Sequence, residues 1–238
     1  MLFPGHHTRG KRGILWPRAT EFLASLPSCS VIADIGCGDG KYFAASWSSG
    51  HYVIGSDMSL ELLRCTLNGT GGGKDARQKA FDDSGDSRRP EVFGGDILNI
   101  ALRDGSVDAV ICIAVLHHIS TRERRIRCLQ ELCRIVKVGG KVDVQAWALE
   151  QDPKSKRQFK NQDLHVPFKA QPRYLAKDAE STGGGVRDET SGLITFERFC
   201  HVYREGELGE LAGEIEGLQI LEQGWDSGNH YIRLLRTK

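Results

Sequence analysis

Long apolar runs are missing from this sequence. No stretch approaches the roughly 18 residues that a membrane-spanning helix needs, and MLFPGHHTRGKRG at the start has no apolar core behind basic residues. No membrane span and no secretory leader are expected from it. Paired cysteines are missing too: there are 7, an odd number, and none forms a Cys-x-x-Cys unit. Metal ligation wants clustered pairs and a disulfide framework wants a small secreted chain, so these read as reduced thiols of a cytoplasmic protein with no resident metal. An excess of one charge is also absent, because 32 Lys and Arg stand against 31 Asp and Glu, a net charge of +1. Any nucleic acid must therefore be met by local basic patches and not by bulk charge. No internal repeat is present.

What is present, 238 residues with 39% hydrophobic content and 26% charged, can bury one sizeable core. SVIADIG reads as a buried strand, KYFAASWSSG as a helix ending near Gly50, YVIGSD as a second strand, and SLELLRCTLN as a helix capped by Ser59. EVFGGDIL and, after a turn, SVDAVICIAVL are two more strands. Ser120 and Glu123 fit a capping box, and Ile126, Leu129, Leu132 or Cys133, and Val136 recur at helical spacing. Gly139 and Gly140 are expected to end that helix before the strand KVDVQAWAL. The order β-α-β-α-β-β-α-β, with strands apolar on both faces, predicts a doubly wound and mostly parallel sheet. The C-terminal LQILEQGWDSGNHYIRLLRTK predicts an antiparallel hairpin turning at Asp226 to Asn229. Residues 69–90 and 152–192 are polar and Gly-, Asp-, Ser- and Lys-rich, and are expected to be a flexible insertion and a partly disordered segment, the second of which only a family resemblance of its motifs implies to be a lid.

ADIGCGDGKY, which links the strand SVIADIG to the helix KYFAASWSSG through a glycine loop, carries the chemistry. Open α/β sheets place ligands where a parallel strand meets a helix. A dinucleotide fingerprint would need glycine at Lys41 or Phe43, and a P-loop would need glycine at Ile35 and a hydroxyl at Tyr42, so both are excluded. A carboxylate ahead of the glycines is also a poor neighbour for pyrophosphate. Acid-x-G-x-G-x-G instead resembles the first motif of the class I S-adenosylmethionine-dependent methyltransferases.

That resemblance implies a Rossmann-like class I methyltransferase, α/β, with one domain over residues 1–238. It implies that Asp34 holds the ammonium of S-adenosyl-L-methionine, directly or through water. Gly36, Cys37, Gly38 and Gly40 would let the backbone approach the methionine and ribose. Asp57, followed by Met58, would accept from the ribose hydroxyls, Asp96 and Ile97 would meet adenine, and Ala114 would complete the cofactor set.

Later segments narrow the resemblance. HHTRGKRGILWP, IAVLHHISTRERR, AWALEQ, QDLHVPF, RFCHVYREGEL and DSGN occur in that order in the eukaryotic tRNA wobble-uridine 5-carboxymethyl methyltransferases, a domain fused to an AlkB-type hydroxylase in animals. One departure is Phe168, where the family shows tryptophan. The implied reaction is esterification of the carboxylate of 5-carboxymethyluridine in tRNA, and the implied partner is a small zinc-binding activator that pairs with a sheet edge as a heterodimer. A carboxylate with a pKa near 4 is about 99.9% ionised at pH 7 and needs no general base. His117 or His118 is then expected to orient the modified uracil, and Arg9 to meet its carboxylate. Contacts to RNA are expected from His6 to Arg12, Arg122 to Arg127 and Lys154 to Lys160. Two rivals use the same fold: a small-molecule carboxyl or oxygen methyltransferase, and an inert RNA- or partner-binding module.

Overall fold

A computed structural model describes residues 15–68, 89–155, 157–170 and 185–238. In chain order the elements are α1 (Pro17–Ala24), β1 (Val31–Ile35), α2 (Phe43–Ser48), β2 (Tyr52–Asp57), α3 (Leu60–Leu67), β3 (Glu91–Gly94) and β4 (Val107–Ile113). A 3₁₀ turn at Leu116–His118 leads to α4 (Arg122–Ile135) and β5 (Val136–Trp147). Then come β6 (Asp163–Ala170), β7 (Val186–Arg187), β8 (Ile194–His201), α5 (Glu207–Gly213), β9 (Leu218–Asp226) and β10 (Asn229–Arg236).

Seven strands form one sheet in the order β3-β2-β1-β4-β5-β10-β9. The first five are parallel, and β10 runs antiparallel to both β5 and β9. The expected doubly wound sheet with its C-terminal hairpin is therefore the fold. The chain builds outward from β1 to β3, then returns to lay β4 on the other side of β1. That reversal opens a crevice at the C-terminal ends of β1 and β4, where such sheets bind ligands.

The two faces of each strand feed separate cores, as a period of two requires. Ala33, Ile35, Val110, Cys112, Val142 and Val144 pack with Leu129 and Leu132 of α4 and Leu208 and Leu211 of α5. Ile32, Ala109, Ile111 and Ile113 point the other way, onto Phe22 and Leu23 of α1. Asp34 and Asp143 alternate with the first set and so lie on the α1 face.

Local signals were read correctly where the partner is close in sequence. Ser59 Oγ accepts from Leu62 N–H at 3.3 Å and starts α3. The final hairpin turns through Ser227 at φ 52° and Gly228 at φ 80°, the paired positive angles of a tight two-residue turn. Two expectations are corrected. The cap of α4 is Thr121, whose Oγ1 accepts from Arg124 N–H at 3.3 Å, so no Ser120–Glu123 box forms. Gly139 and Gly140 do not stop the helix; they lie inside β5. The end of α4 is closed from elsewhere: Arg236 Nη1 donates to the carbonyls of Arg134 and Val136, both at 2.7 Å, and Gly105 N–H donates to Arg134 O at 2.9 Å.

Within the polar 152–192 segment, β6 and β7 flank β8 in a three-stranded antiparallel sheet. His201 ties this sheet to α5. Its Nδ1 meets Asp163 Oδ1 at 2.6 Å and its Nε2 meets Glu207 Oε1 at 2.7 Å. No helix among the described residues is long and apolar enough to cross a membrane.

Candidate active site

The loop after β1 is held by β2. Gly36 N–H and Cys37 N–H donate to Ser56 O at 2.7 and 3.0 Å, and Gly38 N–H donates to Asp57 Oδ2 at 2.9 Å. Asp57 Oδ1 accepts from Ser59 N–H at 2.8 Å. Burial raises the pKa of Asp57, and these backbone donors oppose the rise. A carboxylate offers about four acceptor positions, so positions remain after the loop has been fixed. Asp34 is 2% exposed at the end of β1. Burial and the neighbouring Asp34, Asp57 and Asp39 push the Cys37 thiol well up, so it stays protonated and only its backbone faces ligand chemistry.

The glycines do different work. At Gly36, with φ +80°, a Cβ would stand 2.2 Å from Val115 Cγ2, so this residue lets the loop press against the segment after β4. At Gly40, with φ +72°, it would meet Thr66 Cγ2 at 2.7 Å. At Gly38, with φ +56°, the first atom met is Leu62 Cδ1 at 3.9 Å, so a methyl there would make only an ordinary van der Waals contact with the protein. A concave backbone cradle with carboxylates at its rim fits a ligand that combines an ammonium with a ribose. Met58 is 44% exposed beside it. Asp96 is exposed and accepts from Leu98 N–H at 2.9 Å, and Ile97 packs into the α4 core, which leaves the backbone of that turn for any ring contact. Ala114 holds a left-handed φ of 63°, with its N–H donating to Gln145 O at 2.8 Å. Strain of this kind collects at functional sites.

Beyond Ala114 the structure separates the two histidines. His117 is fully buried, stacked on Trp147 with ring centroids 4.4 Å apart and planes 17° from parallel. Its Nδ1 accepts from Trp147 N–H at 3.4 Å. His117 therefore supports the tryptophan and is not itself exposed to an acceptor. His118 is half-buried, with Nδ1 3.6 Å from Cys200 Sγ. Burial and the nearby Arg198 lower its pKa to about 3, so it is neutral at physiological pH and a very weak base.

Two arginines complete this end of the site: Arg157, expected from the sequence only as part of the basic run from Lys154 to Lys160 facing RNA, and Arg198, to which the sequence assigns no role. Arg157 lies over the Trp147 ring, 4.1 Å from the centroid, and Arg198 lies over Phe168 at 5.0 Å. Desolvation lowers the pKa of both, and Cys200 opposes the change in each. Their signal was invisible because it depends on rings that only the tertiary fold supplies. Arg9 lies outside the described residues, as do 69–88 of the expected insertion and 171–184 of the expected lid. The expected RNA face on α4 is largely spent on ion pairs. Arg122 pairs with Glu214, Arg127 with Glu131 at 3.1 Å, and Arg125 is buried.

The model of a methyltransferase domain family matches residues 33–144. The chain is 34% identical over 220 residues to the tRNA (carboxymethyluridine(34)-5-O)-methyltransferase of Schizosaccharomyces pombe, covering 91% of this chain and 86% of that protein. The chain belongs to the tRNA carboxymethyluridine methyltransferase family. A member of the same name from Xenopus tropicalis is 31% identical over 263 residues, covering 96% of this chain. This chain spans only 38% of the Xenopus protein's length. The solved CcbJ methyltransferase of Streptomyces caelestis shares the fold, with a TM-score of 0.64 at 15% identity over 92% of this chain and 88% of that one. Within this methyltransferase family fold, the glycine cradle and the Trp147 cluster stand at the C-terminal ends of the interior strands β1 and β5, with Gly36 abutting Val115 of the segment between β4 and α4.

Proposed function

We propose that this chain transfers the methyl group of S-adenosyl-L-methionine to the carboxylate of 5-carboxymethyluridine at the wobble position of tRNA, forming the methyl ester. The observation that carries the reading is the pairing, at the acceptor end, of desolvated arginines with a histidine too weakly basic to take a proton. Such a site suits a nucleophile that arrives already charged. The names of the relatives support the same acceptor.

S-adenosyl-L-methionine, when bound, supplies an electrophilic methyl on a sulfonium. Asp34 would hold its ammonium, Asp57 its ribose hydroxyls, and the backbone from Gly36 to Gly40 would flank it. The chain's own work is then mainly orientation. The rings of Trp147, His117 and Phe159 exclude water, with Trp147 and Phe159 stacked at 6.1 Å. In a dry site the opposite charges of carboxylate and sulfonium attract strongly, and both vanish as the O–C bond forms and the S–C bond breaks. No proton moves, so neutral His118 contributes shape and a polar edge. The zinc-binding activator belongs to the same reading: β3 is one of the two outer strands of the seven-stranded sheet among the described residues, and Met58 and Leu60 are exposed close to it in the chain.

The test is the lability of the product. Labelled tRNA treated with mild alkali should release its label as methanol, as an ester does. Label that survives would place the methyl on nitrogen, carbon or an ether oxygen, and would sink the proposal.

A further inference from the structure

Arg157 is half-buried in the loop after β5, and its guanidinium faces the Trp147 ring. Among the described residues no carboxylate pairs with it. Holding an arginine away from water without an anion is costly, and the aromatic face returns only part of that cost. With its carbon 4.1 Å from the ring centroid the guanidinium is close enough to stack, and a stacked arginine lays its flat face on the ring. Its in-plane N–H groups, which form the fork that matches a carboxylate, are left for another partner. The platform beneath it is rigid, since Trp147 is 4% exposed and clamped from its other face by His117. Arg198, by contrast, is 8% exposed on β8 against Phe168, set deeper in the same cluster. Arg157 is thus the cation an incoming group reaches from outside.

We infer that Arg157 anchors the acceptor's carboxylate and makes the enzyme select an anionic substituent at uridine C5 over an uncharged one of the same size. This rests on the proposed acceptor and adds the residue that sets its specificity. One carboxylate oxygen is held by the in-plane N–H groups, and the other is left to attack. The uncharged discriminator is the carbamoylmethyl group, which replaces one oxygen by an amide nitrogen and presents N–H to N–H.

The experiment uses tRNA carrying either 5-carboxymethyl- or 5-carbamoylmethyluridine at the wobble position, with the full chain and, where needed, its activator. The wild type should bind the acid at least about tenfold more tightly than the amide, as a charge-assisted pair allows. Arg157→Gln and Arg157→Ala should lose that preference to within about twofold, with melting temperature and cofactor affinity unchanged. Arg157→Lys, which keeps the charge but not the fork, should fall between. The inference is overturned if the variants keep the preference. It is also overturned if they lose affinity for both tRNAs equally, because that would make Arg157 a general RNA contact. A wild type that binds the acid and methylates it without any preference over the amide would overturn the inference alone. Failure of the wild type to methylate the acid at all would overturn the function beneath it.

Discussion

Adding one methyl group at Gly36 and at Gly38 should have opposite consequences, although the residues are neighbours in one loop. At Gly36 a Cβ overlaps Val115 Cγ2 at 2.2 Å and the backbone sits at φ +80°. The conformation costs ~1–2 kcal/mol for an L-residue and the overlap ~1–3 kcal/mol. Together they lower the melting temperature by roughly 4–20 °C in a chain of this size. At Gly38 the angle is +56°, inside the left-handed region that side chains can enter, and the nearest atom is 3.9 Å away. There the stability cost is only ~1 kcal/mol, or about 2–4 °C. The methyl does, however, occupy the cradle, and cofactor affinity should drop at least about tenfold, equivalent to ~1.4 kcal/mol. Thermal melting and calorimetric titration with S-adenosyl-L-methionine read the two effects separately. A Gly38→Ala protein that binds cofactor within twofold of wild type would refute the cradle. A Gly36→Ala protein that melts within 2 °C of wild type, an interval under its ~4 °C lower bound, would refute the Val115 contact.

Single-turnover methyl transfer should be nearly flat from pH 6 to 9, because the acceptor is ionised throughout and His118, lowered to about 3, does not titrate there; a rate rising tenfold per pH unit would require a general base. Asp143 is fully buried and its pKa is raised by burial from 3.8 to about 7. Its stabilising contribution is therefore full below pH 3.8 and lost as pH rises through about 7. Asp143→Asn should melt higher than wild type at pH 8, with a ceiling of roughly 4 kcal/mol, show under half of that gain at pH 5 and lose it below pH 3.8; equal gains at pH 8 and pH 5 would contradict this. Asp57→Ala should weaken cofactor binding and loosen the loop together, since Gly38 N–H and Ser59 N–H both lose their acceptor; an unchanged dissociation constant would count against the ribose contact.

The strands, the glycine loop and the final hairpin were legible because their determinants are local. Val31 to Ile35 is apolar on both faces, Ser59 caps its own helix, and Ser227-Gly228 turns its own hairpin. What was hidden depends on distant partners. Gly139 and Gly140 look like a helix stop until Arg236, a century of residues away, is seen capping the carbonyls of Arg134 and Val136. β6 was hidden because Asp163, His165 and Pro167 do not resemble strand residues, and only pairing with β8 makes them one. The basic run from Arg122 to Arg127 looked like an RNA face because Glu214, which takes up Arg122, comes from another element. The sequence named two histidines without distinguishing them; burial of His117 behind Trp147 does so.

The most direct test of the central claim is methyl transfer from labelled S-adenosyl-L-methionine to tRNA taken from cells that lack this activity, with mass spectrometry of the product nucleosides. The reaction should be run with and without the zinc-binding activator. The methyl ester of 5-carboxymethyluridine should appear at the wobble position, and only when the protein is present. Cofactor binding without transfer to that nucleoside, activator included, would contradict it and move the chain to another acceptor.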